Sequence, residues 1–262
     1  MKIPLYQIDA FTGKVFGGNP AAVCPLDAWL PDATLQSIGL ENNLAETAFI
    51  VPSDGQYAIR WFTPTVEVEL CGHATLASAY AVFNILEPSR TSVTFSSKSG
   101  PLGVSRLDDT LVLDFPRLPP VLCDPPPALL AALNIKPTSV LLAKSNNYMA
   151  VYEREDDVRA LDPDMDMLAS IGSAHAFICT APGKDVDFVS RFFAPKQGIP
   201  EDPVTGGAHC TLTPYWSQRL NRNPLRALQL SKRGGELFCE DRGDRVNIAG
   251  RAVLYLEGAI HV

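Results

Sequence analysis

Short apolar runs, rich in β-branched and aromatic side chains, recur along the chain between Gly, Pro, Asp and Ser. Such runs predict strands. The first half offers LYQIDAF, AAVC, TAFIV, YAIRWF, SVTFSS, LGVSRL and TLVLDF. The second offers SVLLAK, YMAVYE, AHAFICT, DFVSRFF, ALQLSK, ELFCED and RAVLYLE. Helix-compatible stretches interrupt them at 32–43, 72–84, 128–133 with its neighbours and 205–220, and a weaker one lies near 164–170. The mixture predicts an α+β chain in which each half is a mostly antiparallel sheet around one long helix. The stretch PRLPPVLCDPPP cannot be the interior of a helix or of a central strand. It reads as the link between an N-terminal half, 1–116, and a C-terminal half, 128–262, with 117–127 as the linker. A strand from the C-terminal end is a candidate to close the first half.

The two halves repeat one another. AFIVPSDGQYAIRWFTPTVEVELCGHATLASAY begins at Ala48, and AFICTAPGKDVDFVSRFFAPKQGIPEDPVTGGAHCTLTPYW begins at Ala176. Each runs from AFI to an Arg-aromatic-Phe-x-Pro string, then through a polar connection to a glycine-bearing helix start. Read in sequence, Arg60 matches Arg191 and His73 matches His209, which sets Cys71 against Gly207. The ordered set of matches predicts an internal duplication.

Bulk properties remove several function classes. The 262 residues carry a formal net charge of −7, against the basic face that wrapping nucleic acid requires. No run approaches the roughly 18 apolar residues of a membrane span. MKIPLYQIDAFTG reads as a first strand rather than a signal peptide, so a cytoplasmic protein is expected. The six cysteines are scattered without a CxxC pair, as free thiols are. The four histidines lack metal-type spacing, and no metal centre is expected. Neither GxGxxG nor GxxxxGK[ST] occurs, so nucleotide binding has no support.

The shared feature of the halves is a glycine-bearing turn into a helix: CGHATLASA and TGGAHCTL. The first N–H groups of a helix lack internal partners and carry the positive end of its dipole. Glycines let a ligand approach that backbone. Two such starts converging on one cleft would hold an anion, whereas either alone reads equally well as an ordinary helix start. Proton transfer additionally needs a base, and the candidates are Glu46 in NNLAETAFI and Asp202 in EDP. A carboxylate at the mouth of an apolar strand is either an edge residue or a functional group. Arg60 and Arg191 read as structural ion-pair partners, or as attractors of an anionic substrate. His209 either lines the site or packs, and His175 reads as structural.

NNLAETAFI, CGHATLASA, EDPVTGGAH and GGNPAAV occur in the order found in the PhzF-like, phenazine-biosynthesis isomerase-like family, which the chain resembles over nearly its whole length. The resemblance implies a diaminopimelate epimerase-like fold: two pseudo-symmetric halves, each a curled sheet around a central helix, with the active site in the cleft between them. It implies a homodimer and a small carboxylate-bearing substrate, with no cofactor. Carried over by motif, Glu46 is the general acid/base, His73 contacts the substrate, and Asp202 contacts it and relays protons. Asn19, Gly72, Thr205, Gly206 and Gly207 fall in the substrate-binding segments. Gly207 stands where the family motif has serine, which removes a hydroxyl donor and puts the substrate in doubt.

Two other classes remain open. Related racemases use two facing thiols; Cys71 fits the first position, while Cys210 lies deeper in its helix. A dehydratase-like variant would set Thr205 opposite Cys71. A non-catalytic anion-binding module has little reason to place a carboxylate at Glu46.

Overall fold

The apolar runs form strands, and wherever consecutive strands pair in parallel a helix makes the crossover, because a tight turn cannot. The computed structural model describes residues 1–144 and 146–262. The chain divides into two units, Met1–Phe115 with Ala249–Val262, and Pro116–Ile248.

The first unit contains β1 (Lys2–Ala10), β2 (Asn19–Pro25), α1 (Asp32–Asn42), β3 (Glu46–Ser53), β4 (Gln56–Phe62), β5 (Glu67–Val68), α2 (Gly72–Ala81), β6 (Ser92–Ser97), β7 (Gly100–Leu107) and β8 (Thr110–Pro116). Pairing runs antiparallel β1/β2, parallel β2/β3, antiparallel β3/β4, parallel β4/β6, then antiparallel β6/β7 and β7/β8. The C-terminal strand Ala252–His261 returns to pair antiparallel with β1, from Lys2↔His261 to Ala10↔Ala252.

The second unit contains β9 (Val121–Leu122), α3 (Pro127–Ala132), β10 (Ser139–Leu142), β11 (Asn147–Val151), α4 (Glu155–Arg159), α5 (Met165–Ala169), β12 (Ala176–Pro182), β13 (Phe188–Phe193), α6 (Gly206–Leu220), β14 (Leu225–Gln229), β15 (Gly235–Asp241) and β16 (Arg245–Gly250). Its pairing repeats the first unit's: antiparallel β10/β11, parallel β11/β12, antiparallel β12/β13, parallel β13/β14, antiparallel β14/β15. The duplication is therefore a duplication of topology, with α2 and α6 in the same crossover position.

Strands β3, β11 and β12 are buried on both faces over most of their length, which explains their unbroken apolar runs. Helix α2 is buried nearly all round, packing against β1, β2 and β3. Its alanines let the sheet approach, and its hydroxyls turn inward: Thr75 Oγ1 donates to the Cys71 carbonyl and Ser78 Oγ to that of Ala74. Trp216 of α6 stacks on Phe188 of β13 at 5.7 Å, and its buried indole donates to Thr180 Oγ1 at 2.9 Å.

The proline-rich stretch is fastened rather than loose, and it lies in the second unit. Pro214 sits inside α6 and has no N–H for the carbonyl four residues earlier, that of Cys210. Leu118 supplies the missing donor, its N–H reaching the Cys210 carbonyl at 3.0 Å. Arg117 holds the Asp241 carboxylate at 3.0 Å, and β9 pairs with β10.

Four elements among the described residues fall outside the sequence expectation: the two-residue strands β5 and β9, helix α4 and strand β16. Helix α4, EDDVR, is too charged to show an apolar period, and β16, RVNIAG, ends in residues that read as a turn. Among the described residues no helix is long and apolar enough to cross a membrane.

Candidate active site

In the first unit, three segments bring Asn19, Glu46, Cys71 and His73 together. Asn19 opens β2 after Gly18, whose φ of +61° and near contact with Ala10 allow only glycine: an added Cβ would lie 2.1 Å from the Ala10 carbonyl oxygen. Glu46 opens β3 just after α1 closes on Asn43 in the left-handed conformation, and Asn42 Nδ2 ties that corner to Thr47 Oγ1 at 3.0 Å. Parallel register sets Glu46 beside Ala21, two residues along β2 from Asn19 and so on the same face of the sheet. Cys71 is the N-cap of α2 and His73 lies in its first turn, with no side-chain oxygen capping the helix.

His73 is the hub. Asn19 Nδ2 lies 3.1 Å from its Nδ1, Cys71 Sγ lies 3.5 Å from the same nitrogen, and Glu46 Oε2 lies 3.1 Å from Nε2. The Glu46 and His73 side chains are only 12% and 5% exposed. The Glu46–His73 approach is at ion-pair distance but off the line of a hydrogen bond, and neither Oε2 nor Nε2 has a hydrogen-bond partner among the described residues. Buried polar atoms left so are rare and need a reason. Burial opposes charge on His73, but the Cys71 sulfur and the Glu46 carboxylate outweigh it and raise the imidazole pKa well above its ordinary value. Burial, and then the Glu46 charge, raise the Cys71 thiol.

In the second unit, Asp202 is buried at the start of α6 and accepts a short hydrogen bond from Thr205 Oγ1. Gln229 locks this corner: its Oε1 accepts from the Thr205 N–H at 2.8 Å, and its Nε2 donates to the Asp202 carbonyl at 2.8 Å. Thr205 is the N-cap of α6, and again no side chain caps the helix. Gly206 and Gly207 follow. A Cβ at Gly207 would meet nothing within 4 Å, so the missing serine side chain leaves open space rather than a filled one.

The structure re-registers the repeat. Arg60 grips Glu67 through two bonds of 2.8 Å, and Arg191 grips Glu201 through bonds of 2.6 and 3.0 Å. Four residues after each glutamate stands an N-cap, Cys71 or Thr205. The counterpart of Cys71 is thus Thr205 and not Gly207, and the counterpart of His73 is Gly207. His209 matches Thr75: both reach back to the N-cap carbonyl, His209 Nδ1 at 2.9 Å. His209 is fully buried against Phe188, and burial pulls its pKa down to about 4. It packs as a neutral ring. The hairpins agree with this shift. Phe49 faces Arg60 while Cys179 faces Arg191, so the two AFI runs are out of step by two residues, a slip that preserves which side chains face inward. The position matching Glu46 is Ala176, and the carboxylate belongs to one copy only.

Both arginines are occupied structurally. Arg60 also lies over Trp29 and Phe62, and Arg191 also donates to the Leu161 carbonyl at 2.6 Å. Cys210 is buried, with its pKa pushed up to about 12 by burial.

Known proteins match the whole chain. An uncharacterized isomerase of Pseudomonas aeruginosa is 48% identical over 100% of both chains. The crystal structure of a phenazine biosynthesis protein PhzF family member from Enterococcus faecalis superposes with a TM-score of 0.96 at 45% identity, covering 100% of both chains. A hydroxyproline epimerase from Agrobacterium vitis gives a TM-score of 0.62 at 12% identity over 99% of this chain and 91% of its own, which shows a shared epimerase-like α+β fold. The Phenazine biosynthesis-like protein family itself matches residues 8–258, a span that takes in both helix starts and Glu46. The chain belongs to that family, and it is an isomerase.

Proposed function

We propose that this isomerase shifts a proton on a small carboxylate-bearing substrate, with Glu46 as general acid/base. The observation that carries the reading is the pair of buried atoms, Glu46 Oε2 and His73 Nε2, set 3.1 Å apart without a hydrogen bond. A base held in this way has lone pairs to spend on a substrate C–H. Glu46 takes the proton from one carbon, the electron pair delocalises through the conjugated substrate, and the protonated Glu46 returns the proton to another carbon. No oxidation state of the enzyme changes, so the chemistry asks for no cofactor. The raised His73 keeps a positive charge beside the developing anion.

The uncapped starts of α2 and α6 support binding of the substrate carboxylate. In this reading Gly72, Thr205, Gly206 and Gly207 present backbone donors, Asp202 contacts the substrate through the corner it shares with Thr205, and Asn19 fixes the His73 ring. We further infer a homodimer, which sedimentation equilibrium tests directly.

The 3.5 Å contact between Cys71 and His73 favours a second reading, proton transfer by the Cys71 thiol. One experiment separates the two. Candidate substrates are incubated in deuterated water with each variant, and solvent deuterium at carbon is measured. Glu46→Gln should lower exchange by about 10²–10⁴, and far more than Cys71→Ala does. The reverse ranking moves the chemistry to the thiol.

A further inference from the structure

The groups around His73 are also of types that ligate metals. One ligand atom each from Glu46, Cys71 and His73 lies within 4.8 Å of the other two. The sequence gives no sign of this, because Glu46 is far from the Cys-x-His pair in the chain. Zinc binds thiolate at about 2.3 Å and imidazole at about 2.0–2.1 Å, so two such ligands at a tetrahedral angle stand about 3.5 Å apart. Cys71 Sγ and His73 Nδ1 already stand at 3.5 Å. That edge of a coordination polyhedron lies at Nδ1, where an ion would displace the Asn19 amide and draw in the Glu46 carboxylate, now beside Nε2, as a third ligand. A thiolate–imidazole–carboxylate set suits Zn²⁺ or Co²⁺ and not Mg²⁺ or Ca²⁺, which take oxygen ligands. Three protein ligands leave a fourth position open.

We propose that Glu46, Cys71 and His73 form a binding site for a borderline-soft divalent transition-metal ion, with Zn²⁺ as the probe, and that the bound ion inhibits the isomerase. The binding step is a displacement of protons. The Cys71 thiol releases one, and His73 gives up the proton or the Asn19 hydrogen bond at the nitrogen that meets the ion. The ion accepts the sulfur and nitrogen lone pairs, every displaced proton passes to solvent, and no oxidation state changes. Glu46, once a ligand, is held on the ion, and the bound cation lowers the basicity of its carboxylate toward a substrate proton. The inhibitory half of the proposal rests on the proton-shift reading; the binding half does not.

The test is a cobalt titration. Co²⁺ added to the protein should produce a saturable thiolate-to-cobalt charge-transfer absorption that Zn²⁺ abolishes by displacement. Cys71→Ser should remove that absorption. Glu46→Gln should weaken Co²⁺ binding by at least about tenfold, since losing even an outer-shell partner costs about 10–100-fold. Cys123→Ser, at a half-buried thiol of the other unit, should leave the spectrum intact. Near-ultraviolet circular dichroism of each variant checks its fold. Zn²⁺ should suppress deuterium exchange in the native protein, and a chelator should restore it. No charge-transfer absorption, or the same absorption in Cys71→Ser, overturns the site. Cobalt binding with undiminished exchange overturns the inhibition. Exchange that is independent of Glu46 sinks the proton-shift reading, while the cobalt spectra still judge the site alone.

Discussion

Glu46 Oε2 faces His73 Nε2 at 3.1 Å, two buried atoms in contact without sharing a hydrogen bond. Their electrostatic coupling has a measurable signature in pH. His73 has a raised pKa in the fold. A raised folded-state value stabilises fully below the unfolded value, about 6.5, and that contribution is lost as pH rises through the folded value. Removing the carboxylate takes away part of the cause. Urea unfolding of the native protein and Glu46→Gln should therefore differ most near pH 6, and the native advantage should shrink as pH rises above neutrality. A difference that stays flat from pH 6 to pH 9 would rule out the coupling. Nuclear magnetic resonance titration of the His73 ring should show the same fall in pKa directly.

Gly207 offers room for a side chain that the sequence does not supply. Gly207→Ser should fold with a stability change within about 0.5 kcal/mol, because nothing must move. Its added hydroxyl, in the first turn of α6, should change the ratio of kcat/KM between carboxylate substrates that differ in a hydrogen-bonding group. Steady-state kinetics on paired substrates checks this, and an unchanged ratio removes position 207 from the substrate contacts.

Gly18 is the opposite case. Its φ of +61° and the 2.1 Å approach of an added Cβ to the Ala10 carbonyl leave no space. Gly18→Ala should cost at least the roughly 1–2 kcal/mol of a left-handed residue, with the clash in addition. Activity should fall with it, because Asn19 follows directly and sits 3.1 Å from the His73 ring. Thermal unfolding and the exchange assay should decline together; lost stability with full exchange would detach Asn19 from the site.

The Asp202 corner gives a test in the second unit. Asp202→Asn replaces a carboxyl acceptor by an amide oxygen in the buried hydrogen bond from Thr205. A typical hydrogen bond contributes about 0.5–1.5 kcal/mol, and weakening this one should cost up to that much. The proposed substrate role predicts a further drop in kcat/KM that Gln229→Glu, elsewhere in the same corner, does not reproduce. Equal kinetic losses in the two would reduce Asp202 to a structural residue.

The α+β class and the duplication were legible because strand runs and glycine-bearing helix starts are local features. The carboxylate at Glu46 stood out because it stands at the mouth of an apolar strand. The pairing of repeats was not legible in detail. His73 and His209 look alike in a string of letters, but only N-cap geometry sets His209 against Thr75, and only hairpin register shows the AFI runs two residues out of step. The gathering of Asn19, Glu46 and Cys71 around one imidazole depends on parallel pairing and a crossover helix, and spacing along the chain carries no trace of either.

The bond from Leu118 to the Cys210 carbonyl joins main chain to main chain. It is therefore blind to side-chain identity. Residue 118 is free to drift to any amino acid that keeps an N–H, and proline is the single replacement that would release the clasp. A gap that Pro214 opened in a helix has become a fastening that mutation elsewhere scarcely reaches, which makes the anchoring of this segment more heritable than the letters that compose it.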